Sequence, residues 1–126
     1  MKRDRIVSGV SILALAVVMT ALHLGAYRYS LYFTVEWFDM MMHFLGGFLV
    51  GSSIGWLLRF EVPIGLRSLL PTFWIIIIGV LSVALAWEAF ELVAGIAPSI
   101  GYQKDTIEDI MLGLIGAVVA YGIFKK

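Results

Sequence analysis

Four stretches of this chain are long and apolar enough to cross a bilayer, and this limits the fold more than any other feature. A spanning helix needs about 20 mainly apolar residues, with a range of about 17–25. Ile6 to Ala26, Met40 to Leu58, Phe73 to Ile96 and Ile107 to Phe124 each qualify. Within hydrocarbon every backbone polar group must be satisfied by the protein itself, so these runs are expected as helices. The sequence therefore predicts an all-α integral membrane four-helix bundle, up-down-up-down, forming a single domain over residues 1–126. Its spans fall at about 6–26, 40–58, 73–96 and 107–124, separated by the breakers Pro63 with Gly65, Pro71, and Pro98 with Gly101.

Composition agrees. The 126 residues are 61% hydrophobic and 14% charged, with a mean hydropathy of +0.97. A soluble domain of that length has too little interior for so much apolar surface. The absence of cysteine removes thiolate metal sites, iron–sulfur clusters, covalent haem attachment and disulfides. Zero net charge without a basic stripe argues against a nucleic-acid partner. Lys2, Arg3 and Arg5 resemble the start of a signal peptide. The apolar run behind them is longer than a usual signal core and no Ala-x-Ala site follows, so an uncleaved anchor is expected.

The positive-inside rule supplies an orientation. With a cytoplasmic N-terminus, Lys2, Arg3, Arg5, Arg59, Arg67, Lys125 and Lys126 all lie inside, and only Arg28 and Lys104 lie outside. Tyr27, Tyr29, Tyr32, Trp37 and Tyr102 then form an outer aromatic belt, and Trp56, Phe60, Phe73 and Trp74 an inner one. Both criteria put the chain in the cytoplasmic (inner) membrane with both termini in the cytoplasm.

In this orientation Asp39, His43, Glu88, Glu91, Asp105 and Asp109 share the outer half of the membrane, and His23 falls in the same slab. Asp39 and His43 are spaced i,i+4, Glu88 and Glu91 i,i+3, and Asp105 and Asp109 i,i+4, so each pair shares a helix face. Small residues continue those faces: Gly47, Gly51 and Gly55 after His43, Ala84 and Gly95 around the glutamates, and Gly113, Gly116 and Ala120 after Asp109. Small residues let membrane helices approach closely, so the acidic faces are expected to be the packing faces.

A charge at mid-membrane costs about 2.5–3.5 kcal/mol on insertion scales. No Lys or Arg lies within a span to offset it. A bound cation, shared protons or a polar external ligand remain as explanations, beside a purely structural interhelical hydrogen-bond network. Glu88 and Asp109 lie deepest. Asp39 and Asp105 begin their apolar runs, where helix N-capping is the competing role. His23 stands apart and reads as an interfacial histidine, Trp87 as a core or lipid-facing ring, and Glu108 as a headgroup-level residue.

The patterns Asp39-xxx-His43-Phe44-x-Gly46-Gly47, Trp87-Glu88-xx-Glu91 and Asp105-xxx-Asp109-xxx-Gly113-xx-Gly116 resemble two groups of small membrane proteins. One is the VanZ-like family, with an Asp-x-x-x-His-Phe opening and a late Asp-x-x-x-Asn-x-x-Gly. The other is the YjdF-type inner-membrane proteins, whose last helix starts with paired aspartates and ends in Leu-x-x-Ile-Gly-Ala, here Leu112 to Ala117. Gly113 stands where VanZ-like proteins carry Asn, and the glutamate pair is closer to the YjdF type. The resemblance implies a multi-span membrane protein with these polar positions and assigns no reaction.

Three functions compete. The first is a divalent-cation site drawing on Asp39, His43, Glu88, Glu91, Asp105 and Asp109, for Mg²⁺, Mn²⁺, Ca²⁺, Fe²⁺ or Zn²⁺, which could act on a lipid-linked or envelope substrate such as a phosphate-bearing headgroup. The second is proton or cation handling, although the inner half lacks a polar continuation. The third is a non-catalytic helix-assembly or ligand-binding protein that recognises a lipid headgroup or small polar ligand. Homo-oligomerisation suits the glycine-rich faces. No Ser or Thr stands beside His43 in the sequence to act as a nucleophile, and whether the chain is an enzyme stays open.

Overall fold

The computed structural model describes residues 2–63, 65, 69–96 and 100–124, and every element among them is a helix. In order these are α1 (Lys2–Tyr29), α2 (Leu31–Thr34), α3 (Glu36–Phe60), α4 (Thr72–Ala94) and α5 (Tyr102–Phe124). All but α2 are long and apolar enough to cross a membrane. Arg67, Pro98, Lys125 and Lys126, used above, lie outside the described residues.

Helices α3 and α5 begin earlier than their apolar runs do. Acidic residues suit the first turns of a helix, where they meet the positive end of its dipole, so the helix extends beyond the hydrophobic stretch. The N-cap of α3 is Val35, extended at φ −128° and ψ 96°, with no side-chain capping bond. Asp105 already donates its backbone N–H to Gly101 at 3.1 Å. Neither Asp39 nor Asp105 occupies an N-cap, which removes the competing role weighed for them.

Two chain reversals have local causes. Ser30 takes a left-handed φ of 56° between α1 and α2, a conformation uncommon for a residue with a side chain. At the other site, α4 ends at Gly95, with φ 69°, where Ile96 donates to the Glu91 carbonyl at 3.1 Å. Gly95 is thus a helix terminator of the left-handed kind. Nothing lies within 4 Å of the position its Cβ would take, so its expected packing role is corrected.

Helices α3 and α5 touch backbone to backbone. A Cβ on Gly47 would fall on the Gly113 carbonyl, and one on Gly116 would fall on the Phe44 and Phe48 backbone. Further along, a Cβ on Gly51 would lie 3.2 Å from Ala117 Cα, and one on Gly55 2.8 Å from Phe124 Cβ. These pairings advance together, so the two helices run in the same direction. In lipid such contact supplies dispersion and lets polar groups meet, in place of the hydrophobic driving force available in water. Helix α4 closes on this pair through Ile76 and Val80, which pack with Ala117, Val50, Ile54, Leu114 and Tyr121.

Helix α1 is attached more loosely, through α3. The Trp56 indole N–H donates to the Arg5 carbonyl at 3.0 Å, and the Arg5 guanidinium pairs with Glu61. Most of the large apolar side chains of α1 are exposed, as suits a helix bathed in lipid.

Candidate metal centre

Contact between Gly47 and Gly113 brings together whatever stands one turn before each of them. On α3 that residue is His43, and on α5 it is Asp109. His43 Nε2 lies 3.5 Å from Asp109 Oδ2 and 3.4 Å from Asp39 Oδ1 on its own helix. One ligand atom from each of Asp39, His43 and Asp109 falls within 4.8 Å of the other two. Among the described residues these form the cluster with metal-ligand spacing.

The three differ in exposure. Asp39 is about a third exposed, His43 mostly enclosed, and the Asp109 side chain only 3% exposed. Asp109 Oδ2 is buried without a hydrogen-bond partner. An orphaned carboxylate oxygen in a low-dielectric interior is costly, and native proteins normally satisfy such groups.

Glu88 comes close without joining the three. It is 6% exposed, and the Thr106 hydroxyl donates to its Oε2 at 2.7 Å, tying α4 to α5. Glu91 is half-buried and accepts the Trp87 indole N–H at 2.9 Å. Asp105 is half-buried one turn before Asp109. Glu108 pairs with Lys104 at 3.6 Å at the exposed end of α5. Of the six residues singled out from sequence, Asp39, His43 and Asp109 therefore converge, while Glu88, Glu91 and Asp105 surround them.

Three side chains carry roles that sequence reasoning missed. Thr106 is the donor to Glu88; its position i−3 from Asp109 was the available signal. Trp87 orients Glu91 as well as presenting its ring. His23 is not isolated, since its Nδ1 lies 2.8 Å from the Tyr32 hydroxyl and its ring meets Trp87 edge-on at 6.3 Å. Burial, helped by the charges of Asp39 and Glu91, pushes the Tyr32 phenol up to about 12. It therefore keeps its proton at any working pH and offers a donor to Nδ1. Tyr32 reaches this place because α2 turns it back over the start of α3, with its ring edge-on to Phe38 at 5.2 Å.

Four helices of spanning length, with ionisable side chains held between them, define a multi-pass integral membrane protein. The family model described as predicted membrane protein (DUF2238) matches residues 2–126, and the chain belongs to that family. No curated protein and no solved structure matches the chain.

Proposed function

We propose that this protein binds a divalent cation between Asp39, His43 and Asp109, on the side of the membrane away from the cytoplasm. The observation that carries the reading is the buried, unbonded Asp109 Oδ2 beside two other ligand atoms. Metal–ligand bonds of about 2.0–2.4 Å put neighbouring donors about 2.8–3.9 Å apart in octahedral or tetrahedral sites. Separations of 3.4 and 3.5 Å fit that range. One imidazole with two carboxylates suits Zn²⁺, Mn²⁺ or Fe²⁺ better than Mg²⁺ or Ca²⁺.

Charge distribution supports the orientation, with both termini cytoplasmic in an inner, cytoplasmic membrane. The acids gather at the ends of α3, α4 and α5 opposite Arg59. The motifs at Asp39, Trp87 and Asp105 support kinship with the VanZ-like and YjdF-type proteins, and with it a cell-envelope role. A lipid headgroup or small polar ligand would reach the ion from the outer leaflet, and a second copy of the chain could complete the assembly.

Elemental analysis of detergent-purified protein tests the reading. Wild type should carry a near-stoichiometric divalent metal that is lost in both Asp39→Asn and Asp109→Asn. Wild type that holds no metal and takes up none on titration with Mg²⁺, Mn²⁺, Ca²⁺ and Zn²⁺ would overturn it.

A further inference from the structure

Helix α1 is attached to the bundle at its two ends, while its middle faces lipid. None of the residues in its most apolar stretch is buried. Val10, Leu13 and Val17 are exposed, and Met19 reaches α3 with its Cε 3.9 Å from where a Cβ on Gly46 would stand. At the Arg5 end, the Trp56 indole bonds to the Arg5 carbonyl at 3.0 Å and the Arg5 guanidinium pairs with Glu61. At the His23 end, the Tyr32 hydroxyl lies 2.8 Å from Nδ1, and the imidazole ring meets Trp87 edge-on at 6.3 Å.

The two attachments differ in kind. Trp56 and Glu61 belong to α3 and its C-cap, so they hold Arg5 from a long continuous helix. Tyr32 belongs to α2, a single turn set between two breaks in the backbone. Ser30 before it is left-handed at φ 56°, and Val35 after it is extended at φ −128°. A residue with a side chain keeps a left-handed conformation when its surroundings impose it. The strap is fixed on both sides by one residue: Tyr32 bonds to His23 of α1 and stacks edge-on against Phe38 of α3 at 5.2 Å.

We propose that the bond between Tyr32 and His23 is a latch on a hinged helix. With the bond made, the His23 end of α1 lies against α3 and α4. With it broken, that end swings outward about the attachment of Arg5 to Trp56 and Glu61, and Ser30 and Val35 take up the rotation. Lipid replaces the apolar contacts that α1 gives up, so no hydrophobic force of the kind found in water opposes the swing. Lipid offers no replacement for a hydrogen bond, which leaves the hydroxyl and the imidazole as the hold. The cleft that opens lies between α1 and α4 beside Trp87, whose indole binds Glu91 at 2.9 Å. The latch therefore governs lateral access from the bilayer to the acidic end of the bundle, whether or not a metal is held there.

The test uses full-length protein in lipid nanodiscs, with pairs of introduced cysteines spin-labelled on its cysteine-free background and their separation read by pulsed EPR. Leu24→Cys with Val93→Cys reports on α1 and α4 at the latch, and Val7→Cys with Leu57→Cys on α1 and α3 at the hinge; all four native side chains are exposed. With Tyr32 and His23 in place, each pair should give one narrow distance distribution. Tyr32→Phe removes the hydroxyl and keeps the ring, and His23→Leu removes its partner. Each should broaden the Leu24–Val93 distribution and lengthen its mean by about 5 Å, the displacement from a swing of about 10° at a point roughly 28 Å along the helix from Arg5. The Val7–Leu57 distribution should stay unchanged. A Leu24–Val93 distribution unaltered in both variants would overturn the latch. A change in His23→Leu alone would assign the hold to the ring contact with Trp87 and overturn the role of the Tyr32 bond. Broadening of both pairs would overturn the hinge, since α1 would then be leaving the bundle along its whole length.

Discussion

The carbonyl of Gly113 occupies the space that a Cβ on Gly47 would need. This contact brings His43 within 3.5 Å of Asp109, because each lies one turn before its glycine. Packing and site are therefore one arrangement: the small residues that let the helices touch also determine which polar groups face each other.

Gly47→Leu should accordingly destabilise the protein by about 1–3 kcal/mol or more, since the obstruction is backbone and cannot swing aside. Gly122→Ala, with nothing within 4 Å of its Cβ position, is the control and should be near neutral. Thermal unfolding in detergent, followed by tryptophan fluorescence, reads both. A Gly47→Leu protein as stable as wild type would mean that α3 and α5 are not in backbone contact.

Thr106→Val should cost about 1.5–3 kcal/mol, the worth of a hydrogen bond to a charged group, because it strips a buried carboxylate of its donor. Thr106→Ser keeps the hydroxyl and should recover most of the loss. Thr106→Val near wild-type stability with Thr106→Ser destabilised would instead point to packing of the Thr106 methyl group as the stabilising contact.

Much of this was legible in the sequence, for identifiable reasons. Spans announce themselves because lipid demands about 20 apolar residues each. The i,i+4 spacing of Asp39 and His43 marks a shared face regardless of tertiary context. The glycines after His43 and Asp109 marked the contact surfaces because only small residues allow such approach. Convergence was harder, since spacing within one helix says nothing about how neighbouring helices rotate against it. Glu91 and Asp105 look equivalent to Asp39 in sequence, yet they stand beside the ligand cluster. Thr106 shares a face with Asp109 in sequence, but nothing in that spacing says that Glu88 of another helix lies within reach of its hydroxyl. Gly95 was misread because a terminator and a packing glycine look alike until φ is known.

The orientation can be tested on a clean background, because the chain has no cysteine. Single cysteines at Leu69 and Ile100, both exposed between spans, should respond differently to a membrane-impermeant maleimide in intact cells. Ile100→Cys should label and Leu69→Cys should label only after lysis. The reverse pattern would put both termini, and the proposed site, on the opposite sides.

The most direct test of the central claim is pulsed EPR of Mn²⁺-loaded protein, which detects nitrogen bound to the metal. The account predicts imidazole ¹⁴N modulation in wild type and in His23→Gln, and none in His43→Gln. Modulation absent from wild type, or lost with His23 and kept without His43, would contradict a cation held by Asp39, His43 and Asp109.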